Sequence, residues 1–133
     1  MTPKKLVARF FQAGYTDQDY DFVLQCMADD YFDHSPAAAR SNRDAVGILQ
    51  LVAQQFSGLT AEMLDSFAEN GMVATRVRFS GVHTGECMGV APTGAHITFE
   101  ALEYFRVDDG KIVESWGYWP DKDIERQLLA ARG

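Results

Sequence analysis

Basic residues are scarce in this chain: 12 Lys and Arg stand against 19 Asp and Glu, a formal charge of −7 over 133 residues. Phosphate recognition runs on Lys and Arg, so the balance argues against a nucleic-acid or anionic-membrane partner. Cysteine is scarcer still. Cys26 and Cys87 make no disulfide scaffold, and two free thiols suit a reducing, cytoplasmic compartment. No apolar run approaches the ~18 residues that a membrane-spanning helix needs. Arg9 and Gln12 interrupt the N-terminal stretch where a signal peptide would be continuous. There are four prolines, and no repeat, linker or low-complexity tract. The length therefore reads as one domain over residues 1–133, and a hydrophobic content of 47% excludes disorder as the main state.

What is present divides into helices followed by strands. Thr2 can cap a helix with Pro3 at its first position; Leu6, Phe10 and Ala13 recur at helical spacing, and Gly14 is read as the stop. Asp17 is read as the cap of a second helix with Tyr20, Val23 and Met27 on its apolar face. The segment from Tyr31 to Pro36 reads as a short extended edge. Ser41 or Asn42 caps a third helix, closed by Gly58. From Thr60 the period becomes two. Strands are expected over 60–68, from residue 72 on, over 96–107 and over 111–119. Asn70-Gly71 and Asp109-Gly110 form tight hairpin turns between them. Residues 121–131 suit a closing helix. Helices first and an antiparallel meander after them make an α+β fold.

Strand parity picks out the chemistry. In the third long strand, Ile97, Phe99, Ala101, Glu103, Phe105 and Val107 share one face, on which Glu103 is the lone carboxylate. A carboxyl in an apolar setting has its pKa raised and can serve as acid or base. The alternatives are a bulge that flips the register or an arginine partner. In the fourth strand Val113, Ser115, Gly117 and Trp119 share a face. If Val107 pairs with Lys111, Glu103 falls opposite Ser115, and Asp121 keeps the same parity only if the strand passes Pro120. His83 points inward if the second strand runs through Gly81, and His34 follows Asp33 closely enough for an Asp–His pair. Either histidine can equally be a hydrogen-bonded structural residue. Phe99, Phe105, Trp119 and Tyr31 are candidates to line a pocket for a flat or cyclic ligand, or are simply core. His83, Glu86 and Cys87 match no metal spacing, and no G-x-S-x-G or phosphate-binding loop occurs.

Three stretches carry a resemblance: Tyr31-Phe32-Asp33-His34-Ser35-Pro36, residues 80–94 with Gly81, His83, Gly85 and a closing Pro92-Thr93-Gly94, and residues 105–116 from Phe105 to Trp116. In this order the chain resembles the SnoaL-like polyketide cyclases of the nuclear-transport-factor-2-like superfamily. The resemblance implies N-terminal helices packed in a strongly curved antiparallel sheet, forming a cone with an apolar pocket, and a homodimer joined through the sheet. It implies intramolecular aldol chemistry on an apolar, carbonyl-bearing small molecule, with no metal or cofactor. His83 and Asp121 join Glu103 as catalytic candidates, and His34, Ser115 and Gly117 join the ligand-binding set. Family enzymes often carry His at the position of Glu103 and Asp directly after the Trp, where this chain has Gly117. One reading is relocation, with Glu103 supplying the missing carboxylate. The others are a non-catalytic binding or accessory module and an epoxide-hydrolase-like addition of water.

Overall fold

The first three α-helices start where the sequence supplies a side-chain cap. The Thr2 hydroxyl accepts from the Lys5 amide and opens α1 (Pro3–Phe11); the Ser41 hydroxyl accepts from Asp44 and opens α3 (Asn42–Gln55). In this computed structural model, which describes residues Met1–Gly133, α2 spans Tyr20–Cys26 and α4 spans Asp121–Arg132. Several expected boundaries move: α3 ends at Gln55 and Gly58 falls inside the next strand, Met27 begins a strand instead of lying on the second helix, and the first two helix boundaries shift as well. Gly14 does not end the first helix: the chain widens into a π turn over Gln12–Asp17 and stops at Gln18, which is left-handed at φ 55°. Gly14 serves close approach instead, since a Cβ there would lie 3.2 Å from Leu49 Cδ1 on α3. The cap of α2 is consequently Asp19, accepting from Phe22, and not Asp17.

The strands are β1 (Met27–Asp33), β2 (Phe56–Glu69), β3 (Met72–His83), β4 (His96–Asp108) and β5 (Lys111–Tyr118). They form one open sheet in the order β1-β5-β4-β3-β2. The four long strands are antiparallel as expected, but β1 joins the edge parallel to β5, so the sheet is mixed. Both hairpins use two residues at positive φ, Asn70-Gly71 and Asp109-Gly110. The outward face of β3 and β4 is laced by Arg76 to Asp65 and Glu100, and by Arg78 to Glu62 and Glu100. The inward face is apolar. Val73, Val77, Phe79, Phe99 and Phe105 meet Val7, Phe10 and Phe11 of α1 there, and Leu49 and Val52 of α3 pack into the same core. Each such side chain contributes about 1.5–3 kcal/mol on burial. The helices fill most of the concave side and leave a hollow between α1, α3, β1, β4 and β5.

One register differs from expectation. Val107 pairs with Ile112, Arg106 with Glu114, and Val113 is bulged out between them. Ser115 therefore faces Phe105, and Gly117 faces Glu103.

Candidate functional site

Strict alternation along β4, with no bulge, turns Glu103 inward among Ala101 and Phe105, while Leu102 and Tyr104 point out. The arginines of the sheet are engaged on the other face, so none reaches Glu103. Its carboxyl Oε2 accepts from the Trp119 indole N–H at 3.2 Å. The space it occupies exists because residue 117 has no side chain: a Cβ on Gly117 would lie 2.8 Å from Glu103 Oε1. Burial pushes the Glu103 carboxyl up to about 7, the nearby negative charge of Asp33 adds to the rise, and the Trp119 bond opposes it.

The hollow is a cavity of about 380 Å³ lined by 20 residues, 13 of them hydrophobic. That is the small end of the usual range for ligand pockets. Phe10 and Tyr15 line it from α1 and its π turn, Ala45, Leu49 and Val52 from α3, and Glu103, Phe105, Ser115, Gly117, Trp119 and Asp121 from the sheet and the start of α4. On β1, Tyr31 and Asp33 face in, and Phe32 faces out. Asp33 is only 7% exposed, and its carboxylate accepts from the Ser35 amide (2.9 Å), the Ser35 hydroxyl (2.6 Å) and the Ser115 hydroxyl (3.2 Å). Ser115 also bonds the Tyr31 hydroxyl. Burial raises the Tyr31 phenol, against the Ser115 bond that lowers it. The site thus holds two carboxyls in opposite settings: Asp33 saturated with donors, and Glu103 largely stripped of them.

Of the residues proposed from sequence, Glu103, Asp121, Tyr31, Phe105, Ser115, Gly117 and Trp119 line the cavity. Asp121 stands at the exposed rim, at the first position of α4. Three residues lie elsewhere. His83 is fully buried at the far end of β3; its Nδ1 accepts from the Thr93 amide at 3.2 Å, and its Nε2 has no partner. Inward parity set its face, but not its height along the cone. His34 points outward, stacks on Trp116 with ring centroids 4.6 Å apart, and pairs with Glu114 at 2.7 Å. It makes no pair with Asp33, because neighbours on a strand face opposite ways. Phe99 lies behind the cavity wall, stacked on Phe79 at 5.3 Å and 5.0 Å from Trp119. Sequence reasoning missed Asp33 as a site residue and Tyr15 altogether; the inward alternation of Tyr31 and Asp33 was the available signal for the first. No three His, Cys, Asp or Glu side chains gather closely enough to hold a metal ion.

A curved, open sheet filled by helices around an acid-bearing, largely apolar cavity defines an α+β cone. The chain belongs to the SnoaL-like polyketide cyclase family, whose model matches residues 5–128. It is similar to IdmH of Streptomyces antibioticus, described as a candidate polyketide cyclase: 29% identity, TM-score 0.87, over 97% of this chain and 99% of that one. It is similar also to AclR of Streptomyces galilaeus, described as a candidate hydroxylase, at 27% identity and TM-score 0.84 over 96% of both chains. An epoxide hydrolase of M. tuberculosis shares the fold at 21% identity and TM-score 0.74, over 97% of this chain and 90% of that one. No curated protein sequence matches significantly.

Proposed function

We propose that the protein is an acid/base catalyst of the polyketide-cyclase type, acting without a cofactor on an apolar, carbonyl-bearing small molecule. One observation carries the reading: Glu103 is the carboxyl held in the apolar cavity wall, poised at about 7. A base works best with its pKa near the operating pH. The ionised Glu103 takes a proton from carbon next to a ligand carbonyl. The C–H electrons form the enolate double bond, and the carbonyl electrons move onto oxygen. The enolate carbon then attacks a second carbonyl carbon of the same ligand. Glu103 returns its proton to the alkoxide that forms, so atoms and charge balance with no other reactant; stopping at the enolate and returning the proton to another carbon gives an isomerisation instead. Trp119 orients the carboxyl, and Asp33, Ser115 and Tyr31 line the polar side of the cavity.

Proton removal is testable before the substrate is known. With the two-ring ketone 2-tetralone in deuterated water, NMR should show protein-dependent exchange at the carbon beside the carbonyl. The rate should rise with pH through about 7 and then level, as Glu103 ionises. Glu103→Gln should lower it by a hundredfold or more. Equal exchange by the two proteins contradicts catalysis and favours a binding or accessory module. The Asp33–Ser115–Tyr31 chain favours a second reading, water addition to an epoxide: it is a polar set able to hold a water. Hydrolysis of a cyclic epoxide with no ketone exchange would select that reading over the first.

The outward face offers a route to a homodimer. Leu102 and Tyr118 are 60% and 64% exposed, beside Tyr104 stacked on Trp116 at 4.7 Å. Apolar surface of this kind on a sheet suits a second copy of the chain. No helix is long and apolar enough to cross a membrane, and the free, buried thiols of Cys26 and Cys87 fit a reducing, cytoplasmic setting.

A further inference from the structure

The proton transfer above leaves a negative oxygen on the ligand, and that oxygen needs a donor inside an apolar cavity. Most donors on the wall are already committed. Tyr31 and Ser115 bond each other, Ser115 and Ser35 donate to Asp33, and the Trp119 N–H is on Glu103. Tyr118 is largely exposed at the rim. Tyr15 differs. It is buried, lines the cavity, and its hydroxyl makes no hydrogen bond within the protein.

Its ring is fixed from three sides. Phe11 stacks at 5.9 Å, Phe79 meets it edge-on at 4.9 Å, and Trp119 lies 6.2 Å away. Tyr15 also sits in the one wide turn of the chain, Gln12–Asp17, and π turns of this kind occur frequently at functional sites. We propose that the Tyr15 hydroxyl is the donor that holds the ligand oxygen as it becomes negative, in the same cavity as Glu103. The assignment rests on the acid/base reading of that cavity. Burial and the nearby Glu103 charge raise the Tyr15 phenol well above its ordinary value. The O–H therefore stays intact at neutral pH: it lends a hydrogen bond and gives up no proton. When Glu103 takes the proton its charge moves to the ligand oxygen, so the net charge of the site is unchanged and Tyr15 meets the charge in its new place.

The enolate has a stable mimic in pentafluorophenolate, which stays ionised at neutral pH, and hexafluorobenzene is its uncharged counterpart without the oxygen. Binding of both is read by fluorine NMR. In a Glu103→Gln background, where no carboxylate repels the anion, adding Tyr15→Phe should weaken phenolate binding about tenfold or more. Hexafluorobenzene should bind within about twofold of its original affinity, because the phenyl ring keeps the packing. An equal loss for both probes, an unchanged phenolate affinity, or no phenolate binding before the Tyr15 change would overturn the assignment. A second measurement keeps Tyr15 intact. With carbon-13 at the tyrosine Cζ, the Tyr15 resonance should move when phenolate is added to Glu103→Gln, and a resonance that stays put overturns the assignment too. Failure of the Glu103 reading looks different: wild type and Glu103→Gln would exchange 2-tetralone equally, with the Tyr15 effect on phenolate binding intact.

Discussion

Gly117 and Glu103 share one space, and the cavity's buried carboxyl depends on that glycine. With Oε1 2.8 Å from where a Cβ would stand, a side chain at 117 displaces Glu103 from the Trp119 indole. Gly117→Ala is therefore expected to reduce ketone exchange at least tenfold, about the effect of losing one hydrogen bond to a charged group. Its melting temperature should fall only modestly. Exchange at the wild-type rate would show that the carboxyl position is immaterial. The inward turn of Glu103 was legible in the sequence because β4 alternates without interruption from His96 to Asp108. Its partner across the strands was not. The Val113 bulge shifts β5 by one residue, and nothing in Ile112-Val113-Glu114 marks which of the three is extra.

At the scale of elements, β1 is the part of the site with the least support from the sheet. It is an edge strand paired on one side only, and its register breaks between Met27 and Phe32. The Ser115 hydroxyl ties it to β5 through Asp33 and Tyr31, and Ser115 is 2% exposed. Ser115→Ala leaves those partners short of one bond each, and should cost about 1–3 kcal/mol of folding stability by denaturant unfolding. An unchanged midpoint would show that the network is not structural. The helix stop was misread for a related reason. Gly14 looked like a terminator, but its lack of a side chain is used against Leu49, and the chain continues past it through the π turn bearing Tyr15. A single sequence shows that a residue is small; it does not show which neighbour requires it to be.

At the scale of the whole molecule, the two faces of one sheet divide the work. The concave face holds the helices and the cavity, and the convex face carries ion pairs, Leu102 and an aromatic ladder running from Phe32 through His34 and Trp116 to Tyr104. If the convex face joins two copies, Leu102→Glu should convert a dimer to a monomer in sedimentation; a wild-type monomer would contradict the homodimer. The cone was legible because the period turns to two from Thr60, inside β2, and both hairpins carry an explicit turn signal; β1, set between two helices, carries no such change. The sequence put His83 on the right face but among the catalytic candidates, and the structure places it outside the cavity, since parity is blind to position along a strand. The account rests most directly on the ionisation of Glu103. A carbon-13 NMR titration of its side-chain carboxyl, assigned with Glu103→Gln, should give a midpoint at about 7. A midpoint near 4.5, the ordinary glutamate value, would contradict it and leave the cavity without its base.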